Sequence, residues 1–237
     1  MTSSIRPIET QYDGYLFRSR LEARWAVFFK SLGVPYAYEP EGFRRNGVWY
    51  LPDFRVKCWG LRGEKSGPPF DLYIEVKGSM DEESAEKLKV FTQFGEDWVK
   101  EMERETGARH PDWGEHWWEP EVYDWERAQY EDALKTWTKK NLLPVLVVGD
   151  IPGCADDFNC MDKWYPFSVA HGIEYNSYVG IDGDSFGAMP AADREGHFYL
   201  FGQDSNYVNG EDVDRINRAY DRARMARFEH GQHGAAR

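Results

Sequence analysis

Asp53 in "WYLPDFRV" and the pair Glu75 and Lys77 in "DLYIEVKG" are charged residues set into stretches that otherwise have the composition of strands. Residues two apart on a strand lie on the same face, so Glu75 and Lys77 are expected to point the same way. If the two strands pair side by side, the Asp53 side chain can lie on the same face, beside Glu75 and Lys77.

Two carboxylates held a few ångströms apart are costly to keep ionised unless a cation lies between them. Oxygen ligands of this kind suit Mg²⁺ or Mn²⁺. Such an ion acidifies a bound water and neutralises charge that develops on a phosphate, while a neighbouring lysine orients the nucleophile or stabilises the transition state. The pattern of Asp53, Glu75 and Lys77 therefore predicts metal-dependent hydrolysis of phosphodiesters.

Glu22 is the fourth candidate catalytic residue. It lies in "SRLEARWAVFFKSLGV", a predicted helix that Gly33 ends, at the edge of the buried face beside Phe29. The apolar residues of that face are Leu21, Trp25, Phe28, Phe29 and Leu32. Ser19 and Glu22 also fit the S-x-x-E capping box, in which the glutamate serves only the helix N-terminus.

Three strands are expected after this helix. "PYAYEPEGF" and "VWYLPDF" flank "RRNG", whose Asn46-Gly47 pair is a hairpin signal, so they should be antiparallel neighbours. "KCWGLRGEKSGPPF" has the Gly and Pro content of a loop. "DLYIEVK" is the third strand, with Leu72, Ile74 and Val76 on one face.

The rest of the chain alternates helices and strands. "SMDEESAEKLKVFTQFGEDWVKEMERE" predicts a long helix, and a further helix runs to about Lys140. "LLPVLVVGDIP" is a buried strand, while "YPFSVA" and "HFYLFG" are weaker strand candidates. The end, "EDVDRINRAYDRARMARFEHG", predicts an amphipathic basic helix. The apolar stripes predicted for these three helices are Leu88, Phe91, Trp98 and Met102; Tyr123, Tyr130, Leu134 and Trp137; and Val213, Ile216, Ala219, Tyr220 and Ala223.

In this order, "SRLEARW", "LPDF" and "IEVKG" resemble the motifs of the PD-(D/E)XK nuclease superfamily, whose core is helix, three strands, helix, strand. The resemblance covers roughly residues 15 to 95 and the strand at 145–149. It implies that Glu22 is the acid of the first helix, that Pro52-Asp53 is the PD pair, and that Glu75-Val76-Lys77 is the (D/E)XK triplet.

The resemblance also implies roles and a fold. Asp53 and Glu75 would hold Mg²⁺ or Mn²⁺ with the Val76 carbonyl as a third ligand, Lys77 would act at the nucleophile, and Glu22 would be a helper or a ligand of a second metal. The implied fold is α/β, a restriction-endonuclease-like core of a mixed sheet flanked by helices. Its expected divisions are residues 1–95 for the first part of the core, 96–140 for a helical insertion, 141–152 for a core strand, and 153–237 for an extension that packs on the same domain and ends in the basic helix.

The expected function is that of a DNA endonuclease that depends on a divalent metal. Within the superfamily the chain is similar to phage and mobile-element enzymes, such as junction-resolving endonucleases and the endonuclease subunit of some transposons. One alternative is a non-catalytic protein on the same fold that binds nucleic acid, or whose acidic middle engages a basic partner. Another is an RNA-cleaving nuclease.

Each motif also has a purely structural interpretation. Pro52-Asp53 is typical of an edge-strand turn. Glu75 and Lys77 are typical of the solvated face of a strand. The agreement of order, element type and spacing favours the nuclease interpretation.

Charge is unevenly distributed over the 237 residues, whose formal net charge is -12. Residues 1–65 hold 11 basic and 7 acidic side chains, and 213–237 hold 6 and 3, whereas the middle of the chain is acidic. The two basic segments can share a face that meets phosphate. The candidate phosphate contacts are Arg18, Arg20, Arg24, Arg44, Arg45, Arg55 and Lys57. By charge alone, solvated faces without a ligand are the favoured interpretation. DNA is the expected partner because the family resemblance implies it, and a symmetric DNA substrate would call for a homodimer.

No apolar run approaches the roughly 18 residues that a membrane span requires, and the N-terminus lacks a hydrophobic segment of signal-peptide type. The three cysteines, Cys58, Cys154 and Cys160, are too few for a disulfide framework and fit a reducing compartment. Zinc at Cys154, Cys160 and His171 is not expected because the spacing departs from that of zinc motifs. A cytoplasmic protein without membrane attachment is expected.

Overall fold

The computed structural model of the chain describes residues 7–61, 69–92, 98–109, 124–153, 189–201 and 210–228. The strands in these ranges are β1 Thr10–Tyr12, β2 Tyr15–Phe17, β3 Tyr36–Tyr38, β4 Phe43–Arg45, β5 Val48–Tyr50, β6 Phe54–Leu61, β7 Phe70–Val76, β8 Val145–Val148, β9 Met189–Ala192 and β10 Phe198–Phe201. The helices are α1 Arg20–Leu32, α2 Glu82–Thr92, α3 Trp98–Thr106, α4 Asp124–Asn141 and α5 Gly210–Met225.

Helix α1 forms where the apolar spacing predicts it. The hydroxyl of Ser19 accepts a hydrogen bond from the Glu22 amide, and Gly33 ends the helix with a left-handed φ of 72°. The predicted apolar face is buried, except that Leu21 is only partly covered. The indole N–H of Trp25 donates to the Gly149 carbonyl at 2.8 Å, which ties the helix to the sheet just after β8.

The main sheet is mixed, and its strands lie in the order β8-β7-β6-β10-β9. β6 and β7 are antiparallel, whereas β8 is parallel to β7 and β10 is parallel to β6. β3 pairs with the first residues of β6, on the edge that β10 then continues. The expected strand β8 is buried at all four residues.

The Asn46-Gly47 turn is present, but it joins different strands from those predicted. It closes the short hairpin of β4 and β5, which forms a two-stranded sheet of its own. The expected strand "VWYLPDF" is divided, because Pro52 lacks an amide and the chain leaves β5 after Tyr50 before β6 begins at Phe54. β3 therefore pairs with β6 and not with β5.

One further expectation about strands is corrected, and three strands of the structure were not predicted. "KCWGL" is not a loop, because β6 continues to Leu61. The hairpin of β1 and β2, whose turn has positive φ at Asp13 and Gly14, was not predicted. Strand β9 was not predicted either, while β10 confirms "HFYLFG". The candidate strand "YPFSVA" lies outside the described residues.

Helices cover both faces of the sheet. On one face, α1 and α5 pack against Leu72, Ile74 and Val76 of β7 in the larger core. On the other face, Leu88 and Phe91 of α2 pack against Tyr73 of β7 and against β8. The alternation predicted for β7 is thereby confirmed, and the fold is α/β with a mixed sheet between helices.

Of the residues predicted for the apolar stripes of α3 and α4, Met102, Tyr130 and Trp137 are buried and Leu134 is half-buried, while Tyr123 and the Trp98 side chain lie outside the described residues. α3 and α4 form a small cluster of their own around Met102, Tyr130 and Trp137. The helix predicted as one long element is described as α2 and α3, with residues 93–97 outside the described ranges. In α5 the predicted residues from Ile216 onward are buried, and Val213 is partly exposed. None of the helices in the described ranges is long and apolar enough to cross a lipid bilayer.

Candidate active site

Asp53 and Glu75 face each other across the two central strands. Phe54 of β6 pairs with Ile74 of β7, and the same register continued by one residue sets Asp53 opposite Glu75. Residues directly opposite on antiparallel strands have side chains on the same face. The two carboxylates therefore meet at one end of the sheet, as the sequence predicts.

Both of these carboxylates are buried, with Asp53 3% and Glu75 7% exposed. The backbone holds Asp53 in place: its Oδ2 accepts a hydrogen bond from the Val76 amide at 2.7 Å, and its carbonyl accepts one from the Glu39 amide at 2.9 Å. The solvated-face interpretation is wrong for Glu75.

Lys77 lies next to Glu75, with Nζ 2.8 Å from Oε1. Burial lowers the pKa of Lys77, but the charge of Glu75 and the hydrogen bond to it raise that pKa above its ordinary value. Oε2 of Glu75 is buried, and beside Lys77 the carboxylate has only the Tyr50 hydroxyl as a further partner among the described residues. A buried carboxylate with so few partners is energetically unfavourable, and a cation would satisfy it.

Burial, followed by the charge of Glu75, raises the pKa of Asp53 from its ordinary 3.8 to about 7, against the lowering effect of the Val76 amide. Two buried carboxylates that repel each other in this way are the electrostatic signature of a shared proton or a shared cation.

Glu22 lies near this pair, and both of its carboxylate oxygens accept hydrogen bonds. Its Oε1 accepts from the Ser19 hydroxyl at 2.7 Å, and its Oε2 accepts from the Tyr38 hydroxyl at 2.7 Å and from the Arg18 amide at 3.1 Å. This is a variant of the capping box. The charge of Glu22 contributes to the raised pKa of Asp53, but less than that of Glu75. Among the described residues, oxygens of Glu22, Asp53 and Glu75 do not form a group that lies within 4.8 Å.

Arg18, predicted as a phosphate contact, forms an ion pair directly with the candidate metal ligand Asp53. Its Nη2 is 2.6 Å from Oδ1 of Asp53, and its Nε is 2.8 Å from Oε1 of Glu39. Its side chain is 54% exposed, so the guanidinium bridges a buried acid and solvent. The motif spacing gives no signal for this pairing, because Arg18 and Asp53 are 35 positions apart.

Tyr50 is a residue of the site that the sequence analysis does not identify. It is 2% exposed, and the Glu75 carboxylate is the one partner for its hydroxyl among the described residues. Burial, followed by the charge of Glu75, holds the pKa of Tyr50 well above its ordinary value, so the hydroxyl keeps its proton beside that carboxylate. The only sequence signal is that Tyr50 precedes Pro52-Asp53 on the strand that leads into the motif.

The other predicted phosphate contacts divide into two groups. Three of the cations already have partners: Arg45 donates to the carbonyls of Val90 and Asn141, Arg55 pairs with Glu41 and Asp71, and Lys57 pairs with Asp71. Arg20 and Arg44 are exposed, and Arg24 is partly buried with its Nε unpartnered among the described residues. Arg20 and Arg44 are therefore the cations best placed to meet a ligand.

A second acidic group was not predicted. Ligand atoms of Asp193, Glu195 and His197, in the turn between β9 and β10, lie within 4.8 Å of one another. Asp193 accepts hydrogen bonds from the amides of Glu195 and His197, so the turn itself accounts for the cluster. Cys154, Cys160 and His171 lie outside the described residues.

No protein-family model, curated protein or solved structure matches this chain. The chemical interpretation of the site therefore rests on the positions and environments of its own side chains.

Proposed function

We propose that this chain is a metal-dependent endonuclease that hydrolyses phosphodiester bonds in DNA, built on a restriction-endonuclease-like core. The observation that carries the proposal is the pair of buried, opposed carboxylates, Asp53 and Glu75, with Lys77 bonded to one of them. The order α1, β3, β6, β7, α2 and β8 supports the proposal, because it matches the helix, three strands, helix and strand that the family resemblance implies.

The donor set fits a hard divalent cation. Oε2 of Glu75 is buried, and burial together with the charge of Glu75 raises the pKa of Asp53, so the paired carboxylates are complemented by a cation. Carboxylate oxygens are the ligands that Mg²⁺ and Mn²⁺ take. Asp53 and Glu75 would hold the ion, with the Val76 carbonyl and Glu22 as the further ligands that the family resemblance implies.

When bound, the ion would acidify a water and neutralise charge on the phosphate. Lys77 remains protonated and can donate hydrogen bonds from Nζ to the attacking water or to a phosphate oxygen. Arg18 carries a half-exposed guanidinium beside Asp53, from which it can reach a phosphate at the mouth of the site. Burial of both acids limits the access of bulk water to them.

DNA is supported as the substrate by the distribution of charge. The candidate active site lies within the segment 1–77, whose first 65 residues carry a basic excess in an otherwise acidic protein. Local potential, not net charge, governs the approach of a polyanion. The family resemblance supports a phage or mobile-element enzyme, while RNA cleavage and binding without catalysis are the alternatives to be tested.

The test is cleavage of supercoiled plasmid, a synthetic four-way junction and single-stranded RNA by purified protein, with Mg²⁺ or with chelator. We expect DNA nicking that requires Mg²⁺ and falls at least about 100-fold in Asp53→Asn, because a metal ligand is lost. Glu86→Gln, an exposed change on α2, is the matched control and should cleave like the wild type.

Each other outcome has a defined meaning. If only RNA is cleaved, RNA replaces DNA as the proposed substrate. Binding of DNA without cleavage by either the wild type or Asp53→Asn would favour the non-catalytic alternative. Nicking that persists in chelator, or in Asp53→Asn, would refute the proposed site.

A further inference from the structure

The β4–β5 hairpin carries a cation and an indole on its outer face. Arg44 pairs directly with Trp49 in the register of the two strands, and the Arg44 guanidinium carbon lies 6.0 Å from the centre of the Trp49 ring. Trp49 is 62% exposed, and Leu51, just beyond the strand, is 39% exposed. We call the outward pair of Arg44 and Trp49 the Arg44–Trp49 surface.

The inner face of the same hairpin is anchored to the protein. The ring of Phe43 packs edge-on against Tyr73 at 4.9 Å, and Tyr50 packs against Phe91 at 5.3 Å. Arg45 donates to the Val90 carbonyl at 3.3 Å. These contacts hold the hairpin in place. Its outer side chains therefore lose less conformational entropy when a ligand binds them.

Most of the Trp49 side chain is exposed to solvent. Its ring edge lies over the backbone of Gly42, where an added Cβ would come 3.6 Å from Trp49 Cζ3. A large exposed aromatic ring under a guanidinium is the combination that stacks bases and contacts phosphate in single-strand-binding proteins.

The surface lies close to the candidate active site along the chain. Trp49 directly precedes Tyr50, which lies beside Glu75, and it is four residues before Asp53. Four residues span at most about 14 Å. Phosphates on one strand of duplex DNA are roughly 3.4 Å apart along the helix axis, so a base on this surface would lie within a few nucleotides of the bond at Asp53.

We propose that the Arg44–Trp49 surface stacks an unpaired base of the substrate, so that the enzyme prefers DNA with single-stranded nucleotides beside the bond that is cut. This rests on the proposed function. A base within a duplex is stacked on its neighbours and has no free ring face, whereas an unpaired base does. The positive charge of Arg44 favours a polyanion as the occupant over an apolar protein segment.

The test is the binding of a forked DNA with single-stranded arms and of a matched full duplex, measured by fluorescence anisotropy in chelator so that no cleavage occurs. Stacking on an aromatic side chain accounts for roughly 5- to 150-fold in affinity per base. We expect Trp49→Ala to weaken forked-DNA binding within that range and duplex binding less than about twofold. Trp49→Phe keeps a ring and should recover part of the loss.

Two controls separate stacking from other effects. Leu16→Ala removes an apolar side chain that is 60% exposed on the β1–β2 hairpin and should bind both DNAs like the wild type. Arg44→Gln should weaken both DNAs and flatten the salt dependence, because it removes a phosphate contact. Thermal melting of each variant checks that the fold is retained.

The proposal is overturned if folded Trp49→Ala binds forked DNA like the wild type or loses both DNAs equally. A change in oligomeric state on Trp49→Ala, with DNA binding intact, would assign the surface to a second copy of the chain. If the wild type fails to cleave DNA with Mg²⁺ while Trp49→Ala still selectively loses forked DNA, the nuclease proposal fails and the stacking surface stands. If the wild type cleaves DNA with Mg²⁺ and Trp49→Ala binds forked DNA like the wild type, the nuclease proposal stands and the stacking proposal fails.

Discussion

The guanidinium of Arg18 lies 2.6 Å from Oδ1 of Asp53, so a cation supplied by the protein already contacts a carboxylate that we assign to metal binding. The pairing joins one mostly exposed partner to one buried partner, with side-chain exposures of 54% and 5%. Because the guanidinium stays largely hydrated, we expect the strength of this ion pair to lie near that of surface pairs, up to about 1 kcal/mol. Arg18 is therefore positioned to release Asp53 when a metal and a phosphate bind.

The first prediction concerns this exchange. Arg18→Gln removes a competitor for Asp53, so the free protein should bind Mg²⁺ about two- to fivefold more tightly, the scale of an ion pair of up to about 1 kcal/mol. DNA cleavage should fall, because a phosphate contact is lost. Calorimetric titration with Mg²⁺ and a nicking assay measure the two effects, and Lys89→Gln, which removes an exposed cation paired with Glu86 on α2, is the control. Weaker Mg²⁺ binding by Arg18→Gln would show that the arginine supports the metal site instead.

The second prediction is a dependence of stability on pH in the absence of metal. The pKa of Asp53 is about 7 in the folded chain and about 3.9 in an unfolded one. A raised folded pKa means that the carboxyl contributes its stability in full below about pH 4, and that this contribution is lost as the pH rises through 7. Wild type should therefore become less stable relative to Asp53→Asn between pH 5 and pH 8 in chelator.

Urea denaturation of the two proteins at several pH values measures this difference. Saturating Mg²⁺ should narrow the gap at pH 8, because it stabilises only the protein that retains Asp53. A gap that stays constant from pH 5 to pH 8 would contradict the raised pKa.

The sequence predicts well what depends on neighbours along the chain. The apolar spacing of α1 and the alternation of Leu72, Ile74 and Val76 on β7 are local patterns, and each led to the correct buried face. The adjacency of Asp53 and Glu75 was predictable as well, because strand pairing places residues of known parity opposite each other.

What the sequence does not predict are contacts set by the tertiary arrangement. The pairing of β3 with β6 was missed because the Asn46-Gly47 turn is equally compatible with a short separate hairpin. Tyr38 reaches Glu22 through its hydroxyl across 16 positions, and no spacing rule anticipates such a bond. The hydrogen bond of Tyr38 to Glu22 and the ion pair of Arg18 with Asp53 can be identified only once the positions of the strands are known.

The third prediction concerns Tyr50. Its buried hydroxyl, beside Glu75, can orient that carboxylate for metal binding. Tyr50→Phe removes that group and should weaken Mg²⁺ binding or cleavage about 10- to 100-fold, the usual cost of losing a group that supports a metal ligand. Stability should change by less than about 1 kcal/mol, since the hydroxyl has no other partner among the described residues.

Tyr36→Phe is the matched control, because the Tyr36 hydroxyl donates a hydrogen bond to Asp13 in the β1–β2 turn and not to Glu75. It should leave Mg²⁺ binding unchanged. Equal Mg²⁺ affinity in Tyr50→Phe and wild type would limit Tyr50 to a packing role.

The fourth prediction tests the packing that holds the end of α1. Gly196, between β9 and β10, has a φ of +84°, and a Cβ added there would lie 2.4 Å from the carbonyl oxygen of Gly33, the residue that caps α1. Gly14 has nearly the same φ, +85°, but an added Cβ would meet no atom within 4 Å. Gly14→Ala thus measures the cost of the backbone conformation alone, about 1 to 2 kcal/mol.

Gly196→Ala adds a clash with a backbone atom that cannot move without disturbing the helix cap. It should lower the free energy of unfolding by roughly 1 to 3 kcal/mol more than Gly14→Ala does, the usual range for overpacking. Urea denaturation of both variants gives the comparison. If the two substitutions cost the same, the turn between β9 and β10 does not press on α1, and the close approach of Gly196 to Gly33 is not a constraint on the fold.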